Sequence, residues 1–172
     1  MIKNREFKAK VDQLESYEQK LLRLNPIFKG IDHQKDTYYK VGNDKKLKLR
    51  EGNIENALIY YERPEVAEEK SATILLYKHQ PDAQLKLILE SLHGIDIIVE
   101  KERKIYFYDN IKIHLDQVKE LGTFLEVEAI KDENSRLTET KLEEQCREMR
   151  SYFSIQDSQL LAYSYVDLLR KA

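Results

Sequence analysis

Residues 2–11 alternate between apolar and polar, with Phe7, Ala9 and Val11 on one side and Glu6, Lys8 and Lys10 on the other. This is the period-two signature of a strand with one dry face. Asp12, with Glu15 three residues on, then predicts a helix start, and Leu14, Tyr17, Leu21 and Leu24 make a helical stripe that stops at Asn25-Pro26. Four short strands are predicted near 36–41, 45–50, 57–63 and 72–78, divided by Gly42-Asn43-Asp44, Glu51-Gly52-Asn53 and a charged loop after Pro64. The first three read as a meander. Asp82 predicts the cap of a second helix lined by Leu85, Ile88, Leu89 and Leu92 and ended by Gly94. Strands near 96–108, 111–116 and 123–130 follow. Leu142, Cys146, Met149 and Phe153 predict a final helix, with Thr140 and Glu143 as its capping box. The pattern is α+β with strands dominant.

The polar faces of these strands carry the chemistry. Asn4, Glu6, Lys8 and Lys10 share one; Lys46, Lys48 and Arg50 another; Lys112, His114 and Asp116 a third; Glu126 and Glu128 a fourth. Each face taken alone reads as the wetted side of an antiparallel sheet. Taken together they fit the inner wall of a sheet closed on itself, with the helices covering the apolar outside. Charge inside such a wall must be paired or must bind something charged. Lys8, Lys10, Lys48, Arg50, Lys101 and Arg103 suit the oxygens of a polyphosphate. Glu6, Asp116, Glu126 and Glu128 are hard oxygen ligands suited to Mg²⁺ or Mn²⁺.

Composition narrows the setting. The 172 residues predict one domain, 1–172, able to bury a core without disulfides. Basic and acidic residues number 29 and 31, a net charge of −2, and the lysines and arginines alternate with carboxylates, which argues against nucleic acid as partner. Cys146 stands alone, no signal-peptide pattern opens the chain, and the longest apolar run, Ile95 to Val99, is interrupted by Asp96. The expected compartment is the cytoplasm, away from any membrane. Cys146 reads as a packed small hydrophobe. His114 reads as a wall residue more than a proton carrier. Tyr60 and Tyr106 are candidates for base stacking, although strand tyrosines mostly pack.

Asn4-Arg5-Glu6-Phe7-Lys8 resembles the ExExK signature of the CYTH proteins, with asparagine in place of its first glutamate. Five further stretches follow in the order seen in the class IV adenylate cyclase branch of that family. They are His33–Tyr38, Leu47–Glu51, Glu100–Phe107, Ile113–Asp116 with Leu121–Glu128, and Ser164–Leu169. The resemblance implies a closed eight-stranded antiparallel barrel, a triphosphate tunnel with helices packed outside. It implies Glu6 and Glu126 as metal ligands with Glu128 beside them, and Lys8, Arg50, Lys101 and Arg103 as phosphate grips helped by Lys10 and Lys48. Asp116 would face the reacting phosphates or the metal. Glu6, Asp116 and Glu126 are thereby the implied catalytic set.

The implied reaction is conversion of ATP to cyclic AMP and pyrophosphate. The alternatives are hydrolysis of inorganic, thiamine or nucleoside triphosphate, and a module that binds a phosphorylated ligand without turning it over. Two departures bear on this choice. Asn4 removes a carboxylate, and Glu62 falls about where the cyclases carry a lysine, leaving Arg63 or Lys78 to supply that charge. Open barrel ends and exposed helices leave room for a homodimer.

Overall fold

A computed structural model describes residues 2–42, 45–62 and 70–171 of the chain. The described residues form eight strands: β1 (Ile2–Lys10), β2 (Ile27–Tyr39), β3 (Lys45–Glu51), β4 (Ala57–Glu62), β5 (Lys70–Lys78), β6 (Ile95–Tyr108), β7 (Ile111–Val118) and β8 (Gly122–Lys131). They close into an antiparallel barrel in the order β1-β5-β4-β3-β2-β6-β7-β8. β1 closes it, pairing with β5 on one side (Asn4 opposite Ala72) and with β8 on the other (Glu6 opposite Glu128). The helices are α1 (Leu14–Leu22), α2 (Ala83–His93), α3 (Glu139–Tyr152) and α4 (Tyr165–Lys171).

The pleat sorts the side chains as the alternation requires. Phe7 and Ala9 of β1, Ile113 and Leu115 of β7, and Leu125, Val127 and Ala129 of β8 point outward. There Leu21 of α1 and Leu142, Cys146 and Met149 of α3 cover them in the main core cluster. The opposite parity points inward and is polar. At one end of the barrel the inward positions turn apolar: Tyr38, Val99, Val118 and Phe124 meet Tyr165 and Val166 of α4, which plugs that end. Ser164 and Asp167 start α4 with a mutual cap, the Ser164 Oγ donating to Asp167 at 2.5 Å and the Asp167 N–H reaching back to Ser164 Oγ at 3.4 Å.

Several boundaries differ from the sequence expectations. β2 begins at Ile27, not near residue 36, because Pro26 and Gly30 masked it as a breaker-rich stretch. Gly30 sits at a register shift against β6 with φ 135°, a backbone that an L side chain rarely adopts. Gln13, not Asp12, occupies the N-cap of α1, in the left-handed region and without a side-chain cap bond. Thr138 caps α3 through Lys141 N–H, two residues before the expected Thr140. Asp82 does cap α2, accepting from Gln84 N–H. The short α4 carries too few turns to leave a periodic trace. The turn at Asn43-Asp44 and the end of the predicted strand at Arg63 lie outside the described residues.

The stripe on α2 is only half used. Leu89 is buried and Leu85 packs with it against Tyr39 and Leu49, whereas Ile88 and Leu92 are 55% and 71% exposed. Among the described residues, no helix is long and apolar enough to cross a membrane. Leu89→Ala is expected to lower unfolding free energy by about 2–5 kcal/mol, and Leu92→Ala to change it by no more than about 0.5 kcal/mol. Urea denaturation of the two variants checks this; equal losses would show that Leu92 is covered in solution.

Candidate functional site

The inward-facing side chains enclose a cavity of about 700 Å³. Its lining divides by chemistry. Lys8, Lys48, Arg50, Lys101 and Arg103 supply cations, Glu6, Glu126 and Glu128 supply carboxylates, and Ile54, Ile59, Ile74, Leu76, Phe107 and Ile130 make an apolar wall.

The cations are held by two buried carboxylates that do not line the cavity. Asp36 of β2 lies directly across the strand pair from Arg50 of β3 and takes it in a fork, Nε to Oδ1 at 2.8 Å and Nη2 to Oδ2 at 2.9 Å. Its Oδ2 also accepts from Lys101 Nζ at 3.0 Å and Lys48 Nζ at 3.1 Å. Burial by itself would raise the Asp36 pKa, but Arg50, Lys101 and Lys48 outweigh it and hold the carboxyl well below the usual range. Lys101 feels the reverse. Burial, and the like charges of Arg50, Arg103 and Lys48, bring it down to about 7 despite Asp36.

On the other side Arg103 of β6 forks onto Asp116 of β7, Nε to Oδ1 at 2.6 Å and Nη2 to Oδ2 at 2.5 Å. Arg103 Nη2 also donates to Glu126 at 2.8 Å. Asp116 is fully buried behind this guanidinium and accepts from Tyr165 Oη at 2.6 Å. Asp116 therefore orients Arg103 and does not face the cavity. Lys8 stands 3.6 Å from Glu126, with its ammonium 3.9 Å from the centre of the Tyr165 ring, a cation–π contact.

The carboxylates gather where β1, β8 and β7 meet. Glu6 is directly opposite Glu128, and Glu126 directly opposite Lys8 and His114. Glu6 accepts from Asn4 Nδ2 at 2.8 Å, while Asn4 Oδ1 is buried with no hydrogen-bond partner. Burial and the charges of Glu126 and Glu6 push the Glu128 carboxyl up to about 7. Three carboxylates converging on one wall, beside an amide oxygen with no hydrogen-bond partner among the described residues, fit a divalent cation. These are the oxygen donors such an ion takes.

His114, on the same wall, is fully buried, and neither ring nitrogen has a hydrogen-bond partner. Its Nδ1 lies 3.8 Å from Glu126 and 3.8 Å from Glu128. Burial and the charge of Arg103 bring its pKa down to about 3, so it is neutral. His114, Glu126 and Glu128 each offer one ligand atom within 4.8 Å of the others.

The loop between β3 and β4 completes the wall. Asp32 of β2, fully buried, accepts from Ile54 N–H at 2.8 Å and Glu55 N–H at 3.0 Å and so fixes the loop's backbone. A Cβ at Gly52 would sit 2.6 Å from Asp32 Oδ1, so glycine is required there. Glu55 then meets Arg50 at 3.0 Å and Lys112 at 2.5 Å, and these charges hold its carboxyl low against the effect of burial.

The structure thus gathers nine of the ten residues singled out from the sequence, Asp116 as the buried support of Arg103. Lys10 is exposed at the end of β1 and does not line the cavity. Tyr60 and Tyr106 do not line it either: Tyr60 Oη donates to Glu62 at 2.6 Å and Tyr106 Oη to Glu18 at 2.5 Å. Glu62 is exposed, whereas Lys78 lines the cavity; Arg63 lies outside the described residues. Sequence reasoning missed Asp36, Glu55 and Tyr165. For Asp36 a signal existed: pairing the two predicted strands across the Gly42 turn sets it opposite Arg50.

Comparison with curated proteins gives no match. Among solved structures, the PH1012 protein of Pyrococcus horikoshii is 22% identical at TM-score 0.84, covering 96% of this chain and 98% of that one. A conserved hypothetical protein of Pyrococcus furiosus is 20% identical at TM-score 0.82, covering 96% and 99%. A candidate adenylate cyclase of Vibrio parahaemolyticus is 17% identical at TM-score 0.72, covering 97% of each chain. At these identities the likeness is one of fold. The family model for the CYTH domain matches residues 3–157, from the first residues of β1 to beyond α3, and so the chain belongs to the CYTH domain family.

Proposed function

We propose that the cavity is the active site of a metal-dependent enzyme acting on a triphosphate-bearing small molecule, with cyclisation of ATP to cyclic AMP and pyrophosphate as its reaction. The observation that carries the proposal is the arrangement of Lys8, Lys48, Arg50, Lys101 and Arg103 around one cavity with Glu6, Glu126 and Glu128. The apolar wall and the volume of about 700 Å³ favour a substrate with an organic part over bare inorganic triphosphate.

Arg50 and Arg103, each oriented by a buried aspartate, present their remaining N–H donors to phosphate oxygens without having to be ordered first. Lys8, Lys48 and Lys101 add point charges where negative charge builds on the leaving pyrophosphate. Mg²⁺ or Mn²⁺ held by Glu6, Glu126 and Glu128 would supply Lewis-acid shielding of the phosphates and lower the pKa of the attacking hydroxyl. Lys112, directly opposite Glu128, is shared with Glu55, to which it donates at 2.5 Å.

Three outcomes are expected. With Mg²⁺ or Mn²⁺ and either ATP or inorganic triphosphate, chromatography of the products should give cyclic AMP with pyrophosphate from ATP. Orthophosphate alone would make the enzyme a triphosphatase, and binding without any product would make the tunnel a binding module. Glu126→Gln, which keeps the shape of the side chain, should lower metal-dependent turnover by about a hundred-fold or more. Unchanged metal dependence of the rate would remove Glu126 from the metal site.

The third concerns pH. Lys101 loses its proton as pH rises through about 7. A bound polyphosphate needs that proton, so metal-free ATP affinity should fall about eight-fold between pH 7.5 and 8.5, above the last phosphate ionisation of ATP. Calorimetry in buffers of differing ionisation enthalpy should show proton uptake on binding at pH 8.5; affinity flat across this interval would take Lys101 out of the phosphate clamp.

A further inference from the structure

Among the described residues of the tunnel wall, His114 has both of its polar atoms buried without a hydrogen-bond partner. An imidazole enclosed by protein ordinarily donates from one nitrogen and accepts at the other, and burying it unpaired is unfavourable. Here both nitrogens are without a hydrogen-bond partner. The nearest acceptors are carboxylate oxygens of Glu126 and Glu128, each 3.8 Å from Nδ1 and too far for a hydrogen bond.

That spacing has a simple chemical counterpart. Donor atoms bound at about 2.1 Å to one ion stand about 3.0 Å apart when adjacent in an octahedron, about 3.4 Å in a tetrahedron and about 4.2 Å when opposite. The separations around His114 fall within that span, and the three donor atoms all lie within 4.8 Å of one another. The register fixes the grouping: His114 on β7 is directly opposite Glu126 on β8, and Glu128 is the next inward residue along the same strand.

We propose that His114 is a metal ligand, giving the carboxylate site of Glu126 and Glu128 a nitrogen donor and making this tunnel select a first-row transition ion, such as Mn²⁺ or Co²⁺, over Mg²⁺. The inference rests on the metal role of the carboxylates proposed above. Mg²⁺ takes oxygen ligands and holds its waters, whereas imidazole favours the transition ions, whose affinity for mixed nitrogen and oxygen sites rises from Mn²⁺ through Co²⁺.

The test uses the chain stripped with a chelator and reloaded with Mn²⁺. Pulsed electron paramagnetic resonance of the wild-type protein should show the nitrogen hyperfine coupling of a directly bound imidazole, and calorimetry should give tighter binding of Mn²⁺ than of Mg²⁺. His114→Gln should lose the coupling and weaken Mn²⁺ by about ten-fold or more, while Mg²⁺ affinity shifts less than about three-fold. Should that variant fail to fold, the wild-type spectrum and the Mn²⁺ to Mg²⁺ ratio decide alone. Mn²⁺ bound in a way that Glu126→Gln abolishes, yet without nitrogen coupling, overturns the role of His114 and leaves the carboxylate site standing. No Mn²⁺ binding, or binding indifferent to Glu126→Gln, overturns the carboxylate site and this inference with it.

Discussion

Asp36 meets three cations with two oxygens, and the interior of the barrel is arranged around that imbalance. A sheet closed on itself turns one face of every strand away from water, and in this chain that face is charged. Lys48, Arg50 and Lys101 would repel one another across the lumen without a buried carboxylate between them, and Asp36, with Glu55 shared between Arg50 and Lys112, does not fully neutralise them. The residue of positive charge is what a polyanion would meet. Arg103 repeats the device with Asp116 and Glu126, so each guanidinium is aimed by a carboxylate from a neighbouring strand. A few ångströms away the sign reverses at Glu6, Glu126 and Glu128, and the depressed Lys101 and raised Glu128 record how far each group is from being satisfied by protein alone.

Most of this was legible because period-two alternation is a strong signal when both faces are informative. The pattern of Phe7 and Ala9 against Glu6 and Lys8 states which side meets helices and which meets the lumen, and the barrel obeys it. What failed to show had physical causes. β2 looked like a loop because Pro26 and Gly30 interrupt it, yet a bulge at Lys29 lets the pairing with β6 resume at Gly30. The caps of α1 and α3 were misplaced by one or two residues because several polar side chains competed for the position, and only the chain's direction of approach decides among them.

The site residues divide in the same way. Those on regular strands followed from parity. Lys10 followed parity as well but lies where the strand leaves the barrel, a fact about length that alternation does not contain. Asp116 has inward parity, but Arg103 covers it, so what read as a catalytic carboxylate is the support of a cation. Glu55 and Tyr165 come from a loop and from a short helix after a long connection, where no periodicity exists to be read. Tyr165 joins the plug at one end to the cations of the lumen, since its hydroxyl reaches Asp116 and its ring lies under Lys8.

The double pairing of β1 fixes when the site can come into being. Of the eight strands β1 is made first and its partner β8, Gly122–Lys131, last, so the register that sets Glu6 opposite Glu128 waits for all the strands between them. Pairing across so long a loop is entropically costly and slow compared with closing the β2–β3–β4 hairpins. Of the lumen's cations only Lys48 and Arg50 lie on those hairpins, with Asp36 across from them; Lys101 and Arg103 wait for β6, and Lys8 meets Glu126 only once the barrel has shut. A partly folded chain then holds the Asp36–Arg50 pair alone, and the full ring of charge around the cavity is completed by the last step of folding.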